Sequence, residues 1–194
     1  MTTIDLNSAG PQRSFDLIPP GTVVTVQMQI RPGGAGEDGL LKRSADGASE
    51  ALDCEFTILD NEEYGGRKVW QLLTLAGTTD GHATAGDIAR RLLRAIVESA
   101  RNIRPDDNSE AAQEKRKVSF SDFCGMRFIA KITVEKSKDP AYPDKNKLEA
   151  VTPDLRGWHA VEQVPVAPNV AAPQAAASTK PAQAIARPNW AKKG

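Results

Sequence analysis

Reactive side chains are scarce in this chain, which holds two cysteines and two histidines among 194 residues. Cys54 and Cys124 are too few for a disulfide scaffold, and neither belongs to a CxxC or His-rich cluster able to hold zinc. Cys54 alternates with Leu52, Phe56 and Ile58, which marks a core position. His82 and His159 lie far apart without carboxylates at metal-ligand spacing, and read as solvated or structural. GxSxG, the Gly-Lys-Ser/Thr phosphate loop, HExxH and a GxGxxG after a strand are all missing. Those gaps exclude the hydrolase, nucleotide-loop, zinc-protease and dinucleotide classes. The expectation is a non-enzymatic protein with no cofactor and no metal.

Long apolar runs are missing as well. The most hydrophobic stretches, 22–30, 69–77 and 126–134, are short and interrupted by Thr, Gln or Lys, so none spans a bilayer. The start, Met1-Thr2-Thr3-Ile4-Asp5, has neither the basic residues nor the apolar run of a secretory signal, and a cytoplasmic location is expected. Net charge is absent too, since 25 basic residues balance 25 acidic ones. The balance is uneven along the chain. Residues 163–194 carry Lys180, Arg187, Lys192 and Lys193 with no acid, leaving 21 basic and 25 acidic residues in 1–162. A mildly acidic body argues against coating duplex DNA by bulk electrostatics, so any nucleic-acid site must be a local patch.

What is present is a body of strand signals between two loose ends. Residues 1–12 read as a flexible N-terminus, 13–162 as the domain, and 163–194 as a disordered Ala/Pro-rich basic tail that cannot bury enough apolar surface to offset its ordering entropy. Within the body, Pro19-Pro20-Gly21 releases a strand over 22–31, where Val24, Val26, Met28 and Ile30 alternate with Val23, Thr25, Gln27 and Gln29. Residues 32–50, rich in glycine, read as a long flexible loop. A strand over 52–59 places Leu52, Cys54, Phe56 and Ile58 on one face and Asp53, Glu55 and Thr57 on the other. The turn 60–66 and a strand over 67–76 complete a hairpin. A helix opening near Thr84–Asp87 and ending near Pro105 presents Ile88, Leu92, Ile96 and Ile103 on one side. Residues 104–119 read as a loop or frayed helix, 126–135 as a fourth strand, and 147–151 or 156–161 as the fifth. Five short strands with one helix between the third and fourth match a mainly β, five-stranded OB-like barrel. A sandwich or a small curled α+β sheet gives the same string.

Cations and aromatics then cluster on one part of that fold. With Val69, Leu73 and Leu75 inward, Lys68 and Trp70 face outward beside Tyr64 and Arg67. Val69-Trp70-Gln71-Leu72-Leu73 alternates imperfectly, so a core Trp70 stays open. Arg127 and Lys131 are outward on the fourth strand if Phe128 and Ala130 are inward. The following loop sets Lys136, Lys138, Lys145 and Lys147 around Tyr142, with Asn146 among them. Rings that stack on unpaired bases, interleaved with cations that neutralise phosphates, are what a single-stranded nucleic-acid surface needs. Each group also has a plain reading as a solvated or packing residue. Trp158 reads as core.

Four stretches carry a family resemblance: Phe15-Asp16-Leu17-Ile18-Pro19-Pro20-Gly21-Thr22, Glu62 through Trp70, Gly125 through Ile132, and Tyr142-Pro143-Asp144-Lys145-Asn146. Over about residues 13–160 the chain resembles a bacteriophage and prophage family described as single-stranded-DNA-binding-like, formerly a domain of unknown function. The resemblance implies an OB-type fold and a role in phage DNA replication or recombination beside a recombinase, annealing or replication protein. Carried across, it implies a surface of Tyr64, Arg67, Trp70, Arg127, Lys131, Tyr142, Lys145 and Asn146. The basic tail departs from the acidic, partner-recruiting tails of bacterial single-stranded-DNA-binding proteins, and Arg187 with Trp190 is the part of it suited to a partner or DNA. The alternative reading is an adaptor or structural component on the same fold. Strand pairing between copies would give a homo-oligomer.

Overall fold

The alternation along residues 22–31 builds the centre of the molecule. In the computed structural model, which describes Asp5, Asn7 and residues 16–154, Val24, Val26, Met28 and Ile30 of β1 (Val23–Arg31) are all buried. In chain order there follow β2 (Leu41–Arg43), β3 (Ser49–Ile58), β4 (Lys68–Gly77), α1 (Asp80–Ala100), α2 (Glu110–Lys115), a 3-10 turn at Ser121–Phe123, β5 (Arg127–Glu135) and β6 (Lys145–Ala150). Expectations for most of 1–12, the strand at 156–161, Trp158, His159, and the 163–194 tail with Arg187 and Trp190 lie outside the described residues.

The fold is mainly β, one antiparallel sheet of six strands in the order β2-β3-β1-β5-β6, with β4 paired to β3. β1 lies between β3, from Val26↔Ile58 to Arg31↔Asp53, and β5, from Val23↔Lys131 to Gln27↔Arg127. β3 is long enough to take β1 along its second half and β2 along its first, Leu41↔Leu52 to Arg43↔Glu50. Its other edge holds β4, with an irregularity between Glu50 and Ala51. The inner face gathers Met28, Ile30, Leu52, Phe56, Val69, Phe128 and Ile132 with Leu93, Ile96 and Val97 of α1. Phe56 and Phe128 meet edge to face at 6.0 Å, and each large side chain buried here contributes about 1.5–3 kcal/mol.

Three expectations need correction. The sheet has six strands, because the stretch 32–50 is not merely a loop. Gly33 and Gly34 N–H both donate to Gly39 O, Ala35 bridges Leu41, and Leu40 and Leu41 pack against the core, which brings β2 onto β3. The helix therefore lies between the fourth and fifth strands, and it begins at Asp80. Thr79 caps it by accepting the His82 N–H at 3.2 Å. Gly86 belongs inside this helix because a Cβ there would lie 2.5 Å from Leu75 O on β4. A second short helix, α2, follows within 104–119, capped by Ser109, whose hydroxyl accepts from Ala112 N–H.

The third correction concerns closure: the sheet is open, not a closed barrel. β4 and β6 approach one another without a backbone ladder, and the side-chain oxygen of buried Gln71 accepts the Leu148 N–H at 2.9 Å across the gap. α1 packs on the far half of β4, where Arg90 Nη1 donates to Leu75 O at 3.1 Å, so that strand carbonyl is satisfied by the helix.

Behind α1 one carboxylate organises the polar segment 101–117. Glu98 is only 3% exposed. One of its oxygens accepts from Arg94 Nε and from Arg116 Nε, each at 2.8 Å. Arg116 also donates to Asp107 O and Arg104 O, which ties the turns after α1 back onto it. A buried charge with paired, hydrogen-bonded partners is tolerated where an unpaired one is not.

Candidate nucleic-acid interface

Directly opposed residues on neighbouring antiparallel strands project to the same side of a sheet. On that basis the outer face of β4, β3, β1 and β5 resolves into rows. One runs Lys68, Thr57, Gln27, Arg127; the next runs Trp70, Glu55, Gln29; a third runs Leu72, Asp53, Arg31. The buried partners Val69, Gln71 and Leu73 alternate with Lys68, Trp70 and Leu72 on β4. Trp70 is therefore outward, 51% exposed, with Leu72 beside it at 59%. The imperfect alternation in the sequence arises because Gln71 faces inward to bridge β6 while Leu72 faces water.

This face is not simply cationic. Glu55, opposite Trp70, accepts the indole N–H at 3.1 Å through one oxygen and the Lys68 ammonium at 2.6 Å through the other. The Lys68 hydrogen bond, helped by that of Trp70, holds the Glu55 carboxyl below its usual range. One oxygen of Asp53 takes both Arg31 at 3.1 Å and Lys42 at 3.4 Å. Arg127 is exposed and makes no ion pair among the described residues, so it is the cation of the face with no carboxylate to lose.

The remaining candidates lie elsewhere. Lys131 is on the same side of β5 as Arg127, four residues along, and pairs with Glu149 at 3.4 Å. Tyr64 is half-buried in the β3–β4 turn against the core. The Arg67 guanidinium lies over its ring, 5.6 Å from the centroid, and donates to Asp16 O at 2.6 Å. Asn146 is spent on backbone: it accepts the Ile18 N–H at 2.9 Å and donates to Ile18 O at 2.8 Å. Tyr64, Arg67 and Asn146 thus hold the chain entering β1, at the end of the sheet where β3 turns into β4.

The β5–β6 loop stands at that same end. Tyr142 is 68% exposed over a concavity of about 560 Å³ that Lys136, Lys138 and Lys145 also line. Asp144 fixes the loop by accepting from Lys136 Nζ at 2.7 Å and Ser137 N–H at 3.0 Å. Lys145 is paired with Glu135 at 3.1 Å, whereas Lys138 is exposed and unpaired among the described residues.

The structure brings together Lys68, Trp70 and Arg127, and separates them from Tyr142, Lys138 and Lys145. Sequence reasoning missed Gln27, Gln29, Arg31 and Lys42, and above all the acids Asp53 and Glu55. The alternation on β1 and β3 already placed all but Lys42 on the outer side; attention to the cations and aromatics of the β3–β4 turn, β5 and the loop after it passed over them. Among the described residues no group of His, Cys, Asp and Glu is arranged to hold a metal, and no helix is long and apolar enough to cross a membrane. No family model matches the chain, and no curated protein matches it at a significant level.

Proposed function

We propose that this chain is a non-catalytic protein that binds single-stranded DNA without strict sequence preference, across the outer face of β1, β3, β4 and β5. The observation that carries the reading is Trp70, a half-exposed indole on β4 whose row, with Glu55 and Gln29, runs beside the row of Lys68, Thr57, Gln27 and Arg127, the last of these unpaired among the described residues. An indole offered to water is costly unless something stacks on it, and an unpaired base supplies a ring face of the right size. Glutamines and a threonine between the cations offer hydrogen bonds to sugars and base edges without fixing a sequence. The strand order β4-β3-β1-β5-β6, with β6 returning toward β4, supports an open OB-like relation, a fold that binds oligonucleotides on this side. With the resemblance set out above, the setting is phage replication or recombination in a host cytoplasm, beside a recombinase or replication protein.

The test is a fluorescence anisotropy titration with labelled oligo-dT and a duplex of equal length at two salt concentrations. Tighter binding to oligo-dT, quenching of tryptophan emission, and a salt slope of about −0.7 per phosphate neutralised are expected. Equal or stronger binding to duplex, or no binding at low salt, overturns the proposal.

A second reading, a protein-binding adaptor, is favoured by a different place. A groove of about 320 Å³ lies between α1 and residues 118–123, floored by Leu93, Val97, Phe120 and Phe123 and rimmed by Arg94 and Arg116. A defined partner that co-purifies with a chain lacking oligo-dT affinity, and is lost on Phe120→Ala in a protein that keeps its thermal midpoint, would establish it.

A further inference from the structure

We infer that Glu55 governs the outer face: one carboxylate oxygen sets the plane of the Trp70 indole, the other withholds the Lys68 ammonium, and an arriving strand acquires Lys68 by displacing that second oxygen. This rests on the reading of the face as a single-strand site.

The geometry makes Glu55 the hinge of both outward groups. It stands directly opposite Trp70 in the β3–β4 ladder, where side chains are close enough for a single bond to fix a ring. An indole has one N–H donor, and here that donor is committed to a Glu55 oxygen at 3.1 Å. The other oxygen holds Lys68 Nζ at 2.6 Å. The Glu55 side chain is 19% exposed and that of Lys68 44%, so the carboxylate lies beneath the groups it orders. Lys68 can therefore exchange one anionic oxygen for another without moving its stem, while the ring keeps its anchor.

The exchange has a consequence for selectivity. A carboxylate under the face repels phosphate, so charge alone gains little from this surface, and a ligand gains chiefly through a base laid on Trp70. A duplex brings more charge and no free base face. Glu55 thus penalises duplex more than single strand, and one row away Asp53 adds a second carboxylate that holds Arg31 and Lys42.

The test uses the full chain with oligo-dT of about 16 nucleotides, the upper site size of one OB-fold, between about 50 and 200 mM salt. Glu55→Gln keeps an oxygen for the indole and removes the charge; Glu55→Ala removes both. Glu55→Gln should bind oligo-dT several-fold more tightly, with a slope steeper by about 0.7, and should gain proportionally more for duplex. Glu55→Ala should gain in slope but quench tryptophan emission less. Lys68→Met should cancel the gain when combined with Glu55→Gln, the coupling expected of groups acting on one another. A Glu55→Gln protein that binds no more tightly, or whose gain survives Lys68→Met, overturns the role assigned to Glu55. Absence of binding by parent and variants alike overturns the single-strand reading itself, and the inference with it.

Discussion

Asn146 and Ile18, 128 positions apart in the chain, are joined by a reciprocal pair of hydrogen bonds, the amide of one clasping both backbone groups of the other. The side chain that sequence pattern assigned to nucleic acid is thereby occupied in anchoring the entry to β1. Replacing it with alanine leaves a buried backbone N–H and C=O without partners, at about 1 kcal/mol for each bond. Asn146→Ala should lower the thermal midpoint by roughly 4–8 °C while leaving affinity for oligo-dT within about two-fold. Calorimetry beside anisotropy separates the two effects.

Glu98 offers a second test of stability. Glu98→Ala removes the shared partner of Arg94 and Arg116 and strands the Arg116 guanidinium, whose side chain is 14% exposed. Breaking such a pair costs about 3 kcal/mol, and the loss should concentrate in 101–117. Amide exchange should accelerate over those residues more than in β1, β3 and β5. Uniform acceleration would contradict the tethering role.

Trp70→Ala should behave in the opposite manner. The ring is half in water, so stability should change little, whereas affinity for single strands should fall by about 1–3 kcal/mol, the worth of one stacked base. Most of the tryptophan quenching should vanish with it. A Trp70→Ala protein that binds as the parent does removes this face from the site.

Burial pushes the Cys54 thiol up to about 12. At about pH 8 a free thiol is partly thiolate and reacts with disulfide reagents, whereas Cys54 should stay protonated and shielded. One thiol, the partly exposed Cys124, should react in the native protein and two after denaturation. Two fast thiols without denaturant would contradict the core placement.

Acid stability follows from the paired carboxylates. Glu55, Glu135 and Asp144 are all held below their ordinary values of 4.5, 4.5 and 3.8, chiefly by hydrogen bonds from Lys68, Lys147 and Lys136 respectively. A depressed folded value means that the stabilisation is complete above the ordinary value and lost as pH falls through the folded one. The thermal midpoint should hold steady from neutrality to about pH 5 and decline below about 4.5. Glu55→Gln should remove part of that decline.

The strands were legible where one side is core and the other is water. β1, β3 and β5 show that alternation clearly, and their ends fall within a few residues of the expected ones. β2 escaped notice because three residues, Leu41-Lys42-Arg43, are too few to show a period, and it exists only because β3 outruns β1. The helix start was misplaced because Gly81 and Gly86 weaken local propensity; Gly86 is needed for a close approach to β4 that only the tertiary structure reveals. At the candidate interface the outward side of β4 was readable, yet the cross-strand partners were not. Register, which puts Glu55 under Trp70, depends on how two separated segments align.

Gln71 has a bearing on how copies of this chain meet. An unpaired strand rim invites a neighbour to add its own strand, the usual start of aggregation. Here the rims of β4 and β6 turn toward one another, with one glutamine amide fastened across the seam and α1 lying along the remainder. Along this seam the chain shields the margins of β4 and β6 with its own atoms.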